Sequence, residues 1–306
     1  MKIFLTGATG TIGAEVARAL TGDGHVVTAL LRSPGKRHLL EALGARAHGG
    51  DLADADSYAS EAARHDVLIH AAMDYAGETV AADRVAIDTF VGALQAGGRA
   101  RRFLYTSGCW VLGDTGGAPA AEDAGTDGAA PLVRWRPAHE RAVLEAGRGT
   151  ASTVVLRPGL VYGGPGSLTA GWYRAAASGG AARLIGDGQN HWSFVHVEDL
   201  ARLYVAVAGS DAGGVFHGVD NAPVLAGDAV AAASRAAGAG GRVKRLSLEE
   251  GRASLGPVAD ALVMDQQIVT ERAEEVGWEP ACASYPDCVE RAFAEWLAFS
   301  RRRTPS

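Results

Sequence analysis

Six short apolar runs punctuate the first half of the chain: KIFLT (2–6), HVVTALL (25–31), ARAHGG (45–50, the weakest), DVLIHAA (66–72), RFLYTS (102–107) and STVVLRP (152–158). Most are apolar throughout rather than alternating, as expected for strands buried on both faces. Between them, TIGAEVARALTGDG and DADSYASEAARH place apolar residues at three- and four-residue spacing, with Asp54 or Asp56 as the expected N-cap and Gly22 and Gly24 as stops. Strands of this kind joined by helices predict an α/β fold with a parallel sheet, and right-handed crossovers make it doubly wound.

After Gly159 the pattern loosens. Residues 163–190 are rich in Gly and Ala, SFVHVEDLARLYVAVA returns to a strand followed by a helix, and the chain closes on the amphipathic DCVERAFAEWLAF (287–299). The small-residue stretch 113–131 reads as a mobile flap or a long surface connection. At 306 residues, two unequal lobes are expected.

Composition excludes several classes. With 29 Lys+Arg against 35 Asp+Glu the formal charge is −6, so the electrostatic footprint of a nucleic-acid binder is missing. Three cysteines, Cys109, Cys282 and Cys288, without CxxC spacing suggest neither a disulfide framework nor a zinc site, and no metal is expected. No stretch approaches 18 consecutive apolar residues and no leader-like segment opens the chain, so a cytoplasmic protein without membrane attachment is expected.

Candidate chemistry begins directly after the first run, where TGATGTIG spaces Gly7, Gly10 and Gly13 by three. A strand-to-helix turn of this kind needs glycine to reverse tightly and to let backbone N–H groups reach a pyrophosphate, with Thr9, Thr11 and Ile12 completing the loop. At the end of the second run a carboxylate would serve an adenosine ribose. Leu31 and Arg32 stand there instead, with Lys36 and Arg37 beyond, which favours NADP(H) over NAD(H). Asp51, with Leu52, follows the third run and is expected to face the adenine amino group.

TGATGTIG, GDLAD, HAA (70–72), YTSGCWVLG, LRPGLVYG (156–163) and FVHVEDLA (194–201) together resemble the extended short-chain dehydrogenase/reductase family, the group containing nucleotide-sugar epimerases and dehydratases. The resemblance implies a Rossmann lobe, residues 1–162 plus about 194–220, and a smaller C-terminal substrate lobe, residues 163–193 plus 221–306. It also implies cofactor contacts from Ala71, Ala72, Met73, Thr106, Arg136, Pro158, Gly159, Leu160 and Val161.

The family's chemistry rests on a Ser or Thr, a Tyr and a Lys. Counted back from Gly113, the hydroxyl position is Gly108; counted back from Glu140, the Lys position is Arg136 and the Tyr position Leu132. Arg136 can hold a ribose but not relay a proton. Ser107, beside the vacated position, alternates away from the cleft if the strand continues through it. Ser107 and Arg136 are the catalytic candidates that remain, with Tyr75, His139 and His191 as other proton sources.

Where relatives binding nucleotide sugars carry a phosphate-holding Arg, HWSFVHV has Trp192. Trp110, Trp135, Trp172 and Tyr173 are expected around the same cleft with Asp74, Tyr75, Gly108 and His191, which favours a flat aromatic ligand. These departures resemble the atypical ketoreductases that act on polycyclic aromatic polyketides of angucyclinone type in antibiotic biosynthesis. The implied activity is an NADPH-dependent reductase of a small aromatic ketone, monomeric or homodimeric. The alternatives are a non-catalytic NADP(H)-binding sensor or, against Trp192 and Leu132, a nucleotide-sugar epimerase or dehydratase.

Overall fold

The computed structural model describes residues 1–73, 78–147, 151–164 and 166–303. Strand β1 (Lys2–Thr6) shows how the sheet is built: Ile3, Phe4, Leu5 and Thr6 are all fully buried. Ile3 and Leu5 join one core while Phe4 joins the other, the two-residue alternation of a strand covered on both sides. The same holds for β2 (Val26–Leu31), β4 (Val67–His70), β5 (Arg102–Thr106) and β6 (Ser152–Pro158), with β3 (Arg46–Gly49) more open at the edge.

Further strands are β7 (Leu160–Tyr162), β8 (Ala182–Ile185), β9 (His191–Trp192), β10 (Phe194–His196), β11 (Gly214–Gly218), β12 (Val224–Leu225) and β13 (Val243–Leu246). The main sheet has seven strands in the order β3-β2-β1-β4-β5-β6-β11, every pair parallel. The doubly wound sheet read from the sequence is present, and its order reverses between β1 and β4, where such sheets open a crevice.

Helix α1 (Thr11–Gly22) buries Val16, Ala17 and Leu20 on one sheet face. The other helices are α2 (Arg37–Ala42), α3 (Ala59–Ala62), α4 (Thr79–Gln95), α5 (Arg136–Ala146), α6 (Thr169–Ala177), α7 (Val197–Gly209), α8 (Ala226–Ala236), α9 (Leu248–Leu255), α10 (Val258–Leu262) and α11 (Tyr285–Arg303). Leu200, Leu203, Tyr204 and Val207 of α7 share the core of α1, while Ile87 and Phe90 of α4 and Val143 of α5 cover the opposite face. A separate core joins Trp172, Tyr173, Trp192, Phe194, Val230, Tyr285 and Trp296 from the C-terminal half.

Two expectations are corrected, on the 54–65 helix and on the cysteines, and one left open, on 113–131, is decided. The helix expected over 54–65 is a 3-10 turn at Ala55–Ser57 followed by the four-residue α3, and Asp54 makes no side-chain cap. Ser57 Oγ donates to the Asp54 carbonyl at 2.6 Å and Tyr58 is fully buried, so local side-chain bonding and a core anchor override the helical period. The 113–131 stretch is a connection laced to the chain at 265–269: Thr115 donates to Asp265, Ala120 to Gln267 and Val269 to Ala120. Cys282 and Cys288 form a disulfide with Cα atoms 5.9 Å apart, a pairing the odd cysteine count gave no reason to expect. Cys109 is free, and burial pushes its thiol well up. Among the described residues no helix is long and apolar enough to cross a membrane.

Where the chain leaves β11, Asp220 enters the interior. Its Oδ1 accepts from the Ala222 amide at 3.1 Å while Oδ2 has no partner, and burial pushes the carboxyl up to about 7. Between about pH 4 and 7 the folded protein holds a proton that the unfolded chain has released, so this group lowers stability by about 1.4 kcal/mol per pH unit as pH rises. Asp220→Asn, which keeps the neutral shape, is expected to stabilise the protein by about 4 kcal/mol at pH 8 and not at pH 4. Thermal melts across that range check this; a variant no more stable than wild type at pH 8 excludes a neutral carboxyl.

Candidate active site

A cavity of about 810 Å³ opens at the carboxyl ends of β1 and β4 and runs to the C-terminal core. Its floor is the glycine loop. Gly7 has a φ of +84°, and a Cβ built there would stand 2.4 Å from the Ala71 carbonyl oxygen; one on Gly13 would stand 2.2 Å from that of Gly7. The loop closes through the Gly10 amide donating to the Gly7 carbonyl at 2.9 Å, and no side chain caps α1. Free amides at a helix N-terminus are thus presented to an anion. Thr9, Gly10, Thr11 and Ile12 line this end with them.

Arg32 and Lys36 line the cavity after β2 together with Leu52, where no carboxylate stands. Asp51 does not line it; its Oδ1 accepts from the Ala53 amide at 3.0 Å and stabilises the turn. These residues fit a dinucleotide: a cradle that any Cβ would fill, uncapped amides beneath a pyrophosphate, and cations at the 2′-phosphate end.

Midway, Ala71, Ala72 and Met73 face Pro158, Gly159, Leu160 and Val161 across the cavity. Asp74 and Tyr75 lie outside the described residues. Thr106 is not on the wall, since its Oγ1 meets the Tyr204 hydroxyl behind it. Arg136, 6% exposed, reaches the wall and donates to the Thr106 carbonyl at 2.7 Å and the Tyr105 hydroxyl at 3.3 Å.

Beneath Arg136 lies a buried polar network centred on Asp83 of α4. The carboxylate accepts from His139 at 2.7 Å, Tyr105 OH at 2.9 Å and His70 Nε2 at 3.2 Å, and His70 Nδ1 meets Thr6 Oγ1 at 2.7 Å. Burial alone would raise this carboxyl, but the hydrogen bonds from His139 and His70 and the charge of Arg136 hold it well below the usual carboxylate range. His139 is therefore engaged beneath the floor and is not on the cavity wall.

Ser107 lies just past the end of β5, so strand alternation no longer governs it, and it lines the cavity. It is 9% exposed and its Oγ has no hydrogen-bond partner. Gly108 has an extended φ of 176°, and a Cβ there would meet nothing nearer than the Pro158 carbonyl at 3.9 Å. The missing hydroxyl is not excluded by crowding. Leu132 stands on the same wall.

At the far end Trp110 and Trp192 line the space. The Trp192 indole donates to the Leu262 carbonyl at 3.0 Å and stacks on Trp172 at 5.3 Å and 7°. Trp172, Tyr173, Trp135 and His191 do not line the cavity. Trp172 is the layer behind Trp192, and Tyr173 bonds Tyr285 hydroxyl to hydroxyl at 3.1 Å. Trp135 lies over the Arg136 guanidinium at 4.7 Å, and His191 pairs with Asp265 at 2.8 Å. The structure adds wall residues that sequence reasoning missed: Leu168, Ser193, Val258, Gln266 and Ile268. Ser193 falls within HWSFVHV beside Trp192, and the others belong to no motif and come from segments distant along the chain, so no local pattern points to them.

Residues 3–217 match the model of the NAD dependent epimerase/dehydratase family, and the chain belongs to that family. It is 29% identical over 315 residues to the 3-diazoavenalumate denitrifying reductase of a Streptomyces species, spanning 95% of this chain and 100% of that one. It is 29% identical over 238 residues to the 4-hydroxy-2-methyl-3-oxo-4-farnesyl-3,4-dihydroquinoline-1-oxide ketoreductase of Stigmatella aurantiaca, covering 73% and 70% of the two chains. The crystal structure of the human epimerase family protein SDR39U1 with NADPH shares the fold, with a TM-score of 0.77 and 19% identity over 96% of this chain and 99% of that one.

Proposed function

We propose that this protein is an NADPH-dependent reductase of a ketone on a polycyclic aromatic, polyketide-type compound, working without the Ser/Tyr/Lys triad. The observation that carries the reading is one continuous cavity with a glycine cradle and two cations at one end and two tryptophans at the other. Among the relatives, the dihydroquinoline-oxide ketoreductase is named for a fused-ring ketone, which supports the substrate class, while a 2-alkyl-3-oxoalkanoate reductase of Stenotrophomonas maltophilia is named for an open-chain one.

The dinucleotide, when bound, supplies the hydride. The loop amides hold its pyrophosphate and Arg32 and Lys36 its 2′-phosphate. Ser107 offers the hydroxyl that orients a carbonyl, Arg136 sets a fixed positive charge beside it, and the tryptophans exclude water from the ring system. With Leu132 at the tyrosine position, the final proton comes from water or from the substrate's own phenol. A cytoplasmic monomer or homodimer, with the cleft lying between a Rossmann lobe and a C-terminal lobe, completes the reading.

Purified protein is expected to oxidise NADPH in the presence of a polycyclic aromatic ketone and to bind NADPH more tightly than NADH. Arg32→Ala is expected to lower the NADPH-to-NADH affinity ratio about tenfold or more, the worth of a charged hydrogen bond. An unchanged ratio removes the argument for the 2′-phosphate. Tight cofactor binding with no turnover across a panel of aromatic ketones makes the protein an NADP(H) sensor instead.

A further inference from the structure

We infer that Gln266 selects ligands that present a hydrogen-bond donor, a phenol, enol or N–H, to the aromatic end of the cavity; this deepens the proposed function and rests on it. Gln266 lines the cavity and is 5% exposed. Its Nε2 donates to the Cys109 carbonyl at 3.1 Å and to the Gly113 carbonyl at 2.8 Å. Both partners can only accept, so chemistry fixes which way the amide stands. Its backbone is fixed as well, the amide donating to the His191 carbonyl at 3.0 Å and the carbonyl accepting from Ser193 Oγ at 3.3 Å.

The atom left for a ligand is Oε1, an acceptor to which no described residue donates. Its neighbours on this wall include Trp110, Trp192, Val258 and Ile268, which offer a ligand no second acceptor. Ser193 Oγ is already engaged by the Ile268 amide at 2.8 Å and the Ile268 carbonyl at 3.0 Å. Toward the middle of the cavity, Ser107 Oγ stands buried and unpartnered, a second polar atom awaiting a ligand group. A ligand carrying a carbonyl for Ser107 and a donor for Gln266 satisfies both, whereas an ether oxygen in the donor's place sets two acceptors against each other.

The test compares 1-tetralone, 6-hydroxy-1-tetralone and 6-methoxy-1-tetralone, titrated by calorimetry into the full-length protein saturated with NADP⁺, so that binding is read without turnover. Wild type is expected to bind the hydroxy compound about tenfold more tightly than either of the others. Gln266→Met is expected to bring the three affinities within about twofold by weakening the hydroxy compound alone; a merely structural Gln266 would weaken all three together. Equal affinities in wild type, or a preference that persists in Gln266→Met, overturn the inference and leave the reductase reading standing. Failure of all three to bind overturns both. Should Gln266→Met not fold, the wild-type ordering still decides.

Discussion

Gly13→Ala is expected to weaken NADPH binding at least 100-fold and to lower stability by about 1–3 kcal/mol, the range for forcing a methyl into a packed site. The added Cβ would stand 2.2 Å from the Gly7 carbonyl oxygen and 3.0 Å from the Ala8 amide nitrogen, both backbone, so no side chain can swing aside. Relief requires α1 to lift away from β1 or the loop to open. Either movement takes the helix N-terminal amides off the pyrophosphate. Fluorescence titration with NADPH and a thermal melt of the same sample separate the two effects. Binding within threefold of wild type would show that this turn is not the pyrophosphate cradle.

Asp83→Ala is expected to cost about 3–5 kcal/mol at pH 7, the loss typical of breaking a buried charged cluster. It deprives His70, His139 and Tyr105 of their common acceptor and leaves Arg136 without its nearby countercharge. Because the folded carboxyl titrates below its unfolded value, its stabilisation is complete above about pH 4 and is lost as pH falls through the folded value. The gap between wild type and variant in urea melts is therefore expected to narrow between pH 7 and pH 3. A gap independent of pH would assign the loss to packing rather than charge. The same substitution is expected to weaken NADPH binding, since Arg136 is oriented from below by Tyr105.

The sheet was legible because parallel strands covered on both faces must be apolar at every position, and β1 and β4 carry that composition in unbroken runs. The glycine loop was legible because its spacing is a steric requirement that few residue types meet. The 54–65 segment was misread since its period is helical but Ser57 and Tyr58 have stronger claims on it. The tryptophans divided for a reason no periodicity carries: Trp192 and Trp172 stack, so only one face of one ring meets the cavity. Gln266 was invisible because its role follows from the two carbonyls it holds more than 150 residues away. Asp83 was equally hidden; on a helix that also carries the exposed Arg84 and Asp88, one more carboxylate gives no sign of the three partners gathered around it.

The open space at Gly108 bears on how such a protein diverges. Its backbone is one any residue adopts, and a Cβ there would stand 3.9 Å from the nearest neighbour, the Pro158 carbonyl. A side chain at Gly108 would thus ask for no change in the backbone around it. The other two family positions, Leu132 and Arg136, differ as well, so filling Gly108 alone would restore one hydroxyl and not a triad. The chemistry of this wall can therefore change at Gly108 while the architecture beneath it stays as it is.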